Sequence, residues 1–257
     1  GDLAAPTERI ALQVERNDGT IFEATLQRAE LPQVDSLNGK MLDEQIGYLR
    51  MNSFDASLGK QIETNYDKVR EAKGLIIDLR GNGGGSLGVS LGMMNQLVQG
   101  TVPIGKRITR SGKPPALFFG LISTGKLELE LRGVKNPYLG PVVVLVDGDS
   151  ASASEFLASS LQAIGRAKII GDTSCGCLLG YMGYANVPGG GALAYSEIDF
   201  APVNGKRIER VGVIPDQQVA LNKADLRANK DAGIEAAVQT LKNMQQDSVV
   251  KLASAVR

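Results

Sequence analysis

Three hydroxyls stand within five residues in Asp147-Gly148-Asp149-Ser150-Ala151-Ser152-Ala153-Ser154-Glu155, between an apolar run and a segment of helical character. A serine so placed can act as a nucleophile once a base removes its proton. Ser and Asp are equally the residues that cap helix starts. Gly148-Asp149-Ser150 opens like a nucleophile elbow, but Ser152 stands where the elbow needs its second glycine. A second run, Gly81-Asn82-Gly83-Gly84-Gly85, follows apolar Leu75–Leu79 and offers backbone N–H groups to an anion or a developing oxyanion. Read alone, it is also a simple tight turn. It is not a dinucleotide fingerprint, because Ser86 occupies the third glycine position, and it lacks the Lys-Ser/Thr of a P-loop.

Histidine is absent from the chain. Ser-His-Asp, Cys-His and His-ligated zinc sites therefore cannot be built from it alone. Any nucleophilic chemistry needs another base. Cys175 and Cys177 lie one residue apart, a poor spacing for a strain-free disulfide, so no disulfide framework is expected.

The elements that must position these runs are legible in outline. Ile10, Leu12 and Val14 alternate, Asn17-Asp18-Gly19 turns, and Phe22, Ala24 and Leu26 alternate again, which predicts a hairpin. Residues 27–42 read as a polar linker around Pro32, followed by a strand at Gln45–Met51. Leu58, Ile62, Tyr66 and Val69 predict an amphipathic helix between a cap at Asp55 and a stop at Gly74. Leu75–Leu79 and Pro141–Val146 are buried-type strands, each followed by a helix, at Ser86–Val98 and Ala151–Ile164. Residues 100–140 read as irregular, Lys168–Gly171 as a strand, 181–220 as interrupted β-structure and 223–244 as one terminal helix. Strands alternating with helices predict an α/β fold.

The 257 residues carry 28 Lys+Arg against 28 Asp+Glu, which removes the basic footprint of nucleic-acid binding. With 43% hydrophobic and 22% charged residues, the composition is that of a globular protein with room for a sizeable core. No apolar run approaches the ~18 residues a membrane span needs, and no signal-like segment is read at the N-terminus.

Taken in order, five blocks resemble the C-terminal processing peptidases, or tail-specific proteases, over roughly residues 1–220. They are Ile46-Gly47-Tyr48-Leu49-Arg50-Met51-Asn52-Ser53-Phe54, Gly74-Leu75-Ile76-Ile77-Asp78-Leu79-Arg80 running into the glycines, and Gly140-Pro141-Val142-Val143-Val144-Leu145-Val146-Asp147. Ser150-Ala151-Ser152-Ala153-Ser154-Glu155 and Val211-Gly212-Val213-Ile214-Pro215-Asp216 complete the set. The resemblance implies a Ser/Lys serine peptidase on an α/β core related to crotonase and Clp protease, with a β-rich section. It implies Ser152 as nucleophile, with an oxyanion hole from Ala153 N–H and Gly84 or Gly85 N–H. No cofactor or metal is implied. The partners implied are polypeptide substrates with flexible apolar C-termini, in the periplasm or another extracytoplasmic space; the oligomeric state is not read. Residues 1–33 resemble the closing strands of a PDZ-like domain, 34–222 the peptidase core, and 223–257 a C-terminal helix and tail.

The family's lysine base follows the nucleophile by 25 residues, which falls on Cys177 in Thr173-Ser174-Cys175-Gly176-Cys177. Tyr181 stands where the family often has glutamine. A thiol can accept the hydroxyl proton only as thiolate, with a reference pKa of ~8.5. Three readings are open: a dead site kept as a peptide-binding groove, another base (Lys168, an N-terminus or a second chain), or an engineered replacement. Impaired activity is expected. Two rival functions are a non-catalytic peptide-binding scaffold and a crotonase-like acyl-thioester enzyme with Arg107, Arg110 and Lys113 near a CoA phosphate. Glu155 is expected at a helix start rather than in catalysis.

Overall fold

The computed structural model describes residues 9–255 except 17, 28, 30–34, 44, 111, 115, 118–121, 124, 125, 180–182, 197 and 221. Two compact units divide between Asp35 and Ser36. The first holds an antiparallel hairpin, β1 (Arg9–Glu15) and β2 (Ile21–Gln27). Its register pairs Ile10 with Leu26, Leu12 with Ala24 and Val14 with Phe22, so the alternating apolar residues share one face. Asn17 of the expected turn lies outside the described residues; Gly19 takes φ +81° there and Asp18 accepts the Thr20 N–H.

In chain order, the second unit begins with β3 (Leu37–Met41), β4 (Ile46–Met51), α1 (Gly59–Asp67), β5 (Gly74–Asp78) and α2 (Leu87–Asn95). Next come β6 (Thr101–Thr109), β7 (Ala116–Leu117), β8 (Ile122–Ser123), β9 (Glu128–Arg132), β10 (Val142–Val146), α3 (Ala153–Ala163) and β11 (Lys168–Gly171). It closes with β12 (Gly183–Val187), β13 (Gly191–Tyr195), β14 (Ile198–Pro202), β15 (Gln217–Gln218), α4 (Lys223–Arg227) and α5 (Ala232–Ala255).

A six-stranded sheet in the order β15-β11-β10-β5-β4-β3 is the centre, parallel except for β3. Every residue of β5 and β10 is buried, as strands covered on both faces require, and the one charge among them is Asp78 at the end of β5. Leu75, Ile77, Val142 and Val144 join the core beneath α1, α2 and α3, whereas Ile76, Val143 and Leu145 meet Ala237 and Leu241 of α5. A second sheet, β14-β6-β9, packs beside α3, with Phe156 edge-to-face on Phe200 at 4.7 Å between ring centroids.

Three expectations change. The segment read as irregular contains β6 and β9, whose alternation is broken by a register shift between Pro103 and Gly105. Gly105 takes φ +151°, and a side chain there would strike Ala201 O, so the position needs glycine. The linker contains β3, held because Gly39 lies against Asn65 and donates to its Oδ1 at 2.9 Å. The single terminal helix is two: Asn229 enters the left-handed region at φ 52°, and Asp231 accepts the Ile234 N–H to restart the chain as α5.

Candidate active site

β5 and β10 are parallel neighbours, with Val142 opposite Leu75 and Leu145 opposite Asp78. The glycine run and the serine run both leave the carboxyl ends of those strands, so they meet by topology. Gly81 N–H donates to Asp147 Oδ1 at 2.9 Å and Ala151 N–H to Asn82 O at 3.0 Å.

The three serines separate by environment. Ser150 is buried and its hydroxyl donates to Leu79 O at 2.9 Å while receiving the Asp147 N–H. Ser154 is buried and donates to Asn82 O at 2.8 Å. Both hydroxyls tie the two loops together. Ser152 alone of the three is partly exposed, at the start of α3, with φ 54° and ψ −113°. Such a backbone is unusual for a residue with a Cβ and is the kind of conformation found where a side chain must be presented.

Gly84 and Gly85 take φ +103° and +137°. A Cβ on Gly84 would sit 2.7 Å from Ser152 Cβ and 3.0 Å from Ala153 N; one on Gly85 would strike Phe54 O. Phe54 clamps the run by donating to Gly84 O and accepting from Ser86. The Gly84 N–H is occupied, donating to Asn82 Oδ1 at 2.9 Å. Those of Gly85 and Ala153 have no acceptor among the described residues. Asn82, fully buried, also donates to Met51 O at 2.9 Å, so one amide pins the run to β4 and shapes its turn. Sequence reasoning passed over Asn82; its signal was an amide placed among glycines.

The third wall is residues 173–177. Cys175 N–H donates to Ser150 O at 3.0 Å and Ser152 N–H to Cys177 O at 3.1 Å, which brings position 177 beside the serine run. Gly176, at φ +71°, packs on Val211 and Gly212, and Arg210 donates to its carbonyl at 2.7 Å. The Val211-Gly212-Val213 block is thus the support of this loop. Cys175 and Cys177 are joined by a disulfide, contrary to the expectation from their spacing; with Gly176 left-handed, the two Cα atoms come to 5.2 Å, within the ordinary disulfide range. A disulfide sulfur has no thiolate form, so Cys177 cannot be a base in this state. Lys168 is not near: it begins β11, alongside Val143, and pairs with Asp216 at 3.2 Å, while Ser152 follows the opposite end of β10. Tyr181 lies outside the described residues.

Beneath the glycine run, Asp78 is fully buried and ion-paired with Arg50 and Arg80 at 2.8 and 2.7 Å, and Arg80 continues to Asp231 at the head of α5. Burial would push the Asp78 carboxyl up. The Arg80 hydrogen bonds and charge, the Tyr48 hydroxyl and Arg50 outweigh it and hold the group below the usual carboxylate range. Burial, with Asp78 alongside, pushes the Tyr48 phenol well above its ordinary value. No group of His, Cys, Asp and Glu among the described residues is arranged to hold a metal, and none of the described helices is long and apolar enough to cross a membrane.

Known proteins resemble this chain in sequence and fold. The carboxy-terminal processing protease CtpA of Bacillus subtilis (strain 168) is 28% identical over 170 residues, which are 65% of this chain and 34% of that protein. The carboxyl-terminal-processing protease of Picosynechococcus sp. is 28% identical over 228 residues, 86% of this chain and 50% of that one. The chain therefore spans a third to a half of the length of these curated relatives. Among solved structures, the photosystem II D1 C-terminal processing protease superposes with a TM-score of 0.60 at 18% identity, covering 83% of this chain and 56% of that one, a likeness of fold. The model of Peptidase family S41 matches residues 45–219, from β4 through the glycine and serine runs to β15, and the chain belongs to that family.

Proposed function

We propose that this chain is the core of a serine peptidase of the C-terminal processing type, in which Ser152 attacks the scissile carbonyl to form an acyl-enzyme. The observation that carries the reading is the sorting of the serines: Ser150 and Ser154 are buried in backbone hydrogen bonds, and Ser152 is presented at a strained helix start beside Gly84. Ala153 and Gly85 N–H groups are the oxyanion donors in this reading, because Gly84 N–H is already bound to Asn82. Gly84 acts by lacking a side chain.

Cys177 holds the position of the base. As a disulfide it takes no proton, which makes this chain an impaired or inactive peptidase while the bond stands. The two-strand unit before residue 34 is in this reading the closing part of a PDZ-like domain, the peptidase core runs over 34–222, and the C-terminal helix and tail follow. The core is related to crotonase and Clp protease. Substrates are polypeptides with flexible apolar C-termini. An extracytoplasmic site agrees with a disulfide, which persists in oxidising compartments.

The test compares degradation of an unfolded protein with an apolar C-terminus by the unmodified chain, Cys177→Lys and Ser152→Ala carrying Cys177→Lys, with and without a dithiol reductant. The expected result is little cleavage by the unmodified oxidised chain, a rise with lysine of at least tenfold, and its loss with Ser152→Ala. Cleavage that survives Ser152→Ala overturns the nucleophile assignment. A lysine form as inert as the other two removes the base assignment.

A further inference from the structure

Glu155 does more than begin a helix. Its carboxylate is fully buried, and four donors from two segments converge on its two oxygens. Oε1 receives the Ser174 hydroxyl at 2.6 Å and the Gly176 N–H at 2.7 Å; Oε2 receives the Cys177 N–H at 2.9 Å and the Ser152 N–H at 3.2 Å. Ser174 Oγ in turn accepts the Val213 N–H at 2.7 Å, extending the chain of contacts to the supporting block. Among the described residues no Lys or Arg forms an ion pair with this group, whose partners are amides and a hydroxyl at the start of α3.

We propose that Glu155 is a positioning residue that locks the backbone of Ser152 to the backbone of position 177, setting the distance between nucleophile and base side chain whatever residue stands at 177. The inference rests on the peptidase reading for its purpose, but not for its geometry. Helix capping alone requires only the Ser152 N–H; the bonds to Gly176 and Cys177 cross 21 and 22 residues of sequence and serve no cap. Two carboxyl oxygens suit this set of donors, whereas a glutamine side chain would turn an NH2 group toward donors on one side. Aspartate would keep both oxygens and fall short by one methylene.

Amide hydrogen exchange measured by NMR on the whole chain, in the unmodified protein, Glu155→Gln and Glu155→Asp, tests the lock without requiring activity. The expected result is exchange at least tenfold faster at Gly176 and Cys177 in each variant that folds, with the interior amides of β10 and β5 within twofold of the unmodified protein. A fluorophosphonate probe of Ser152 in chains carrying Cys177→Lys gives the second measurement: on adding Glu155→Gln or Glu155→Asp, the maximal labelling rate drops at least tenfold while the half-saturating probe concentration stays within twofold. Unchanged exchange at Gly176 and Cys177 overturns the proposal, as does acceleration spread evenly through β5 and β10, which is what a purely structural role produces. If Ser152 takes no label even in the chain carrying Cys177→Lys, the peptidase reading fails by itself, and exchange still decides the role of Glu155.

Discussion

At the residue scale, the site is organised by groups whose neighbours in space are far away in sequence. Asn82 binds Met51 O and the Gly84 N–H, and its own carbonyl receives Ala151 and Ser154. Asn82→Ala leaves buried partners unpaired, so unfolding free energy should fall by about 1–3 kcal/mol, and fluorophosphonate labelling of Ser152, measured here and below in chains carrying Cys177→Lys, should drop more than this loss of folded protein accounts for. Denaturant titration beside labelling kinetics separates the two. Gly84→Ala places a methyl 2.7 Å from Ser152 Cβ on a left-handed backbone; labelling should fall by a factor of ~100 or more, comparable to loss of an oxyanion donor. Thiol titration of the unreduced protein should count no reactive thiol, and two after reduction, since neither cysteine is free.

At the element scale, helices and strands make the site by where they end. Leu241 of α5 is fully buried against β5, near Gly74. Leu241→Ala should cost about 2–5 kcal/mol in chemical denaturation; a loss below 1 kcal/mol would mean that α5 is not an integral cover of the sheet. The elements most legible in the sequence were β5 and β10, since their apolar runs, interrupted in Leu75–Leu79 only by Asp78, leave a strand buried on both faces as the reading. The serine-run helix was legible too, because its cap chemistry is local. β6 was not, because Pro103 and the Gly105 bulge erase its alternation. Nor was β3, whose Asn38-Gly39 looks like a turn and is a strand only because Gly39 fits against Asn65. The break before α5 needs a left-handed Asn229, which composition does not announce. Within the site, the serine and glycine runs could be read, but the bonds of Asn82 and Glu155 could not, as they join segments tens of residues apart.

At the scale of the molecule, one buried charge cluster couples the end of β5 to the head of α5. The Asp78 carboxyl is held below its usual range, so the stabilisation it provides is fully present above the unfolded aspartate pKa of ~3.9 and is lost as pH falls through the lower, folded value. Stability of the unmodified chain should therefore decline below about pH 4. Asp78→Asn, which takes a buried partner from Arg50 and Arg80 while leaving Arg80 its pair with Asp231, should lower stability near neutrality by about 1–3 kcal/mol and flatten that acid limb. Thermal unfolding followed from pH 7 to pH 2.5 checks both; an acid limb of unchanged steepness would move its origin to other carboxylates.

The site draws together Phe54, residues 82–85, 150–155, 174–177 and 211–213. These segments are spread along the sequence, so the serine, the loop that faces it and the Val213 that braces that loop meet only when the chain has folded. The site is thus a product of tertiary folding, since none of these segments can build it from its own local structure.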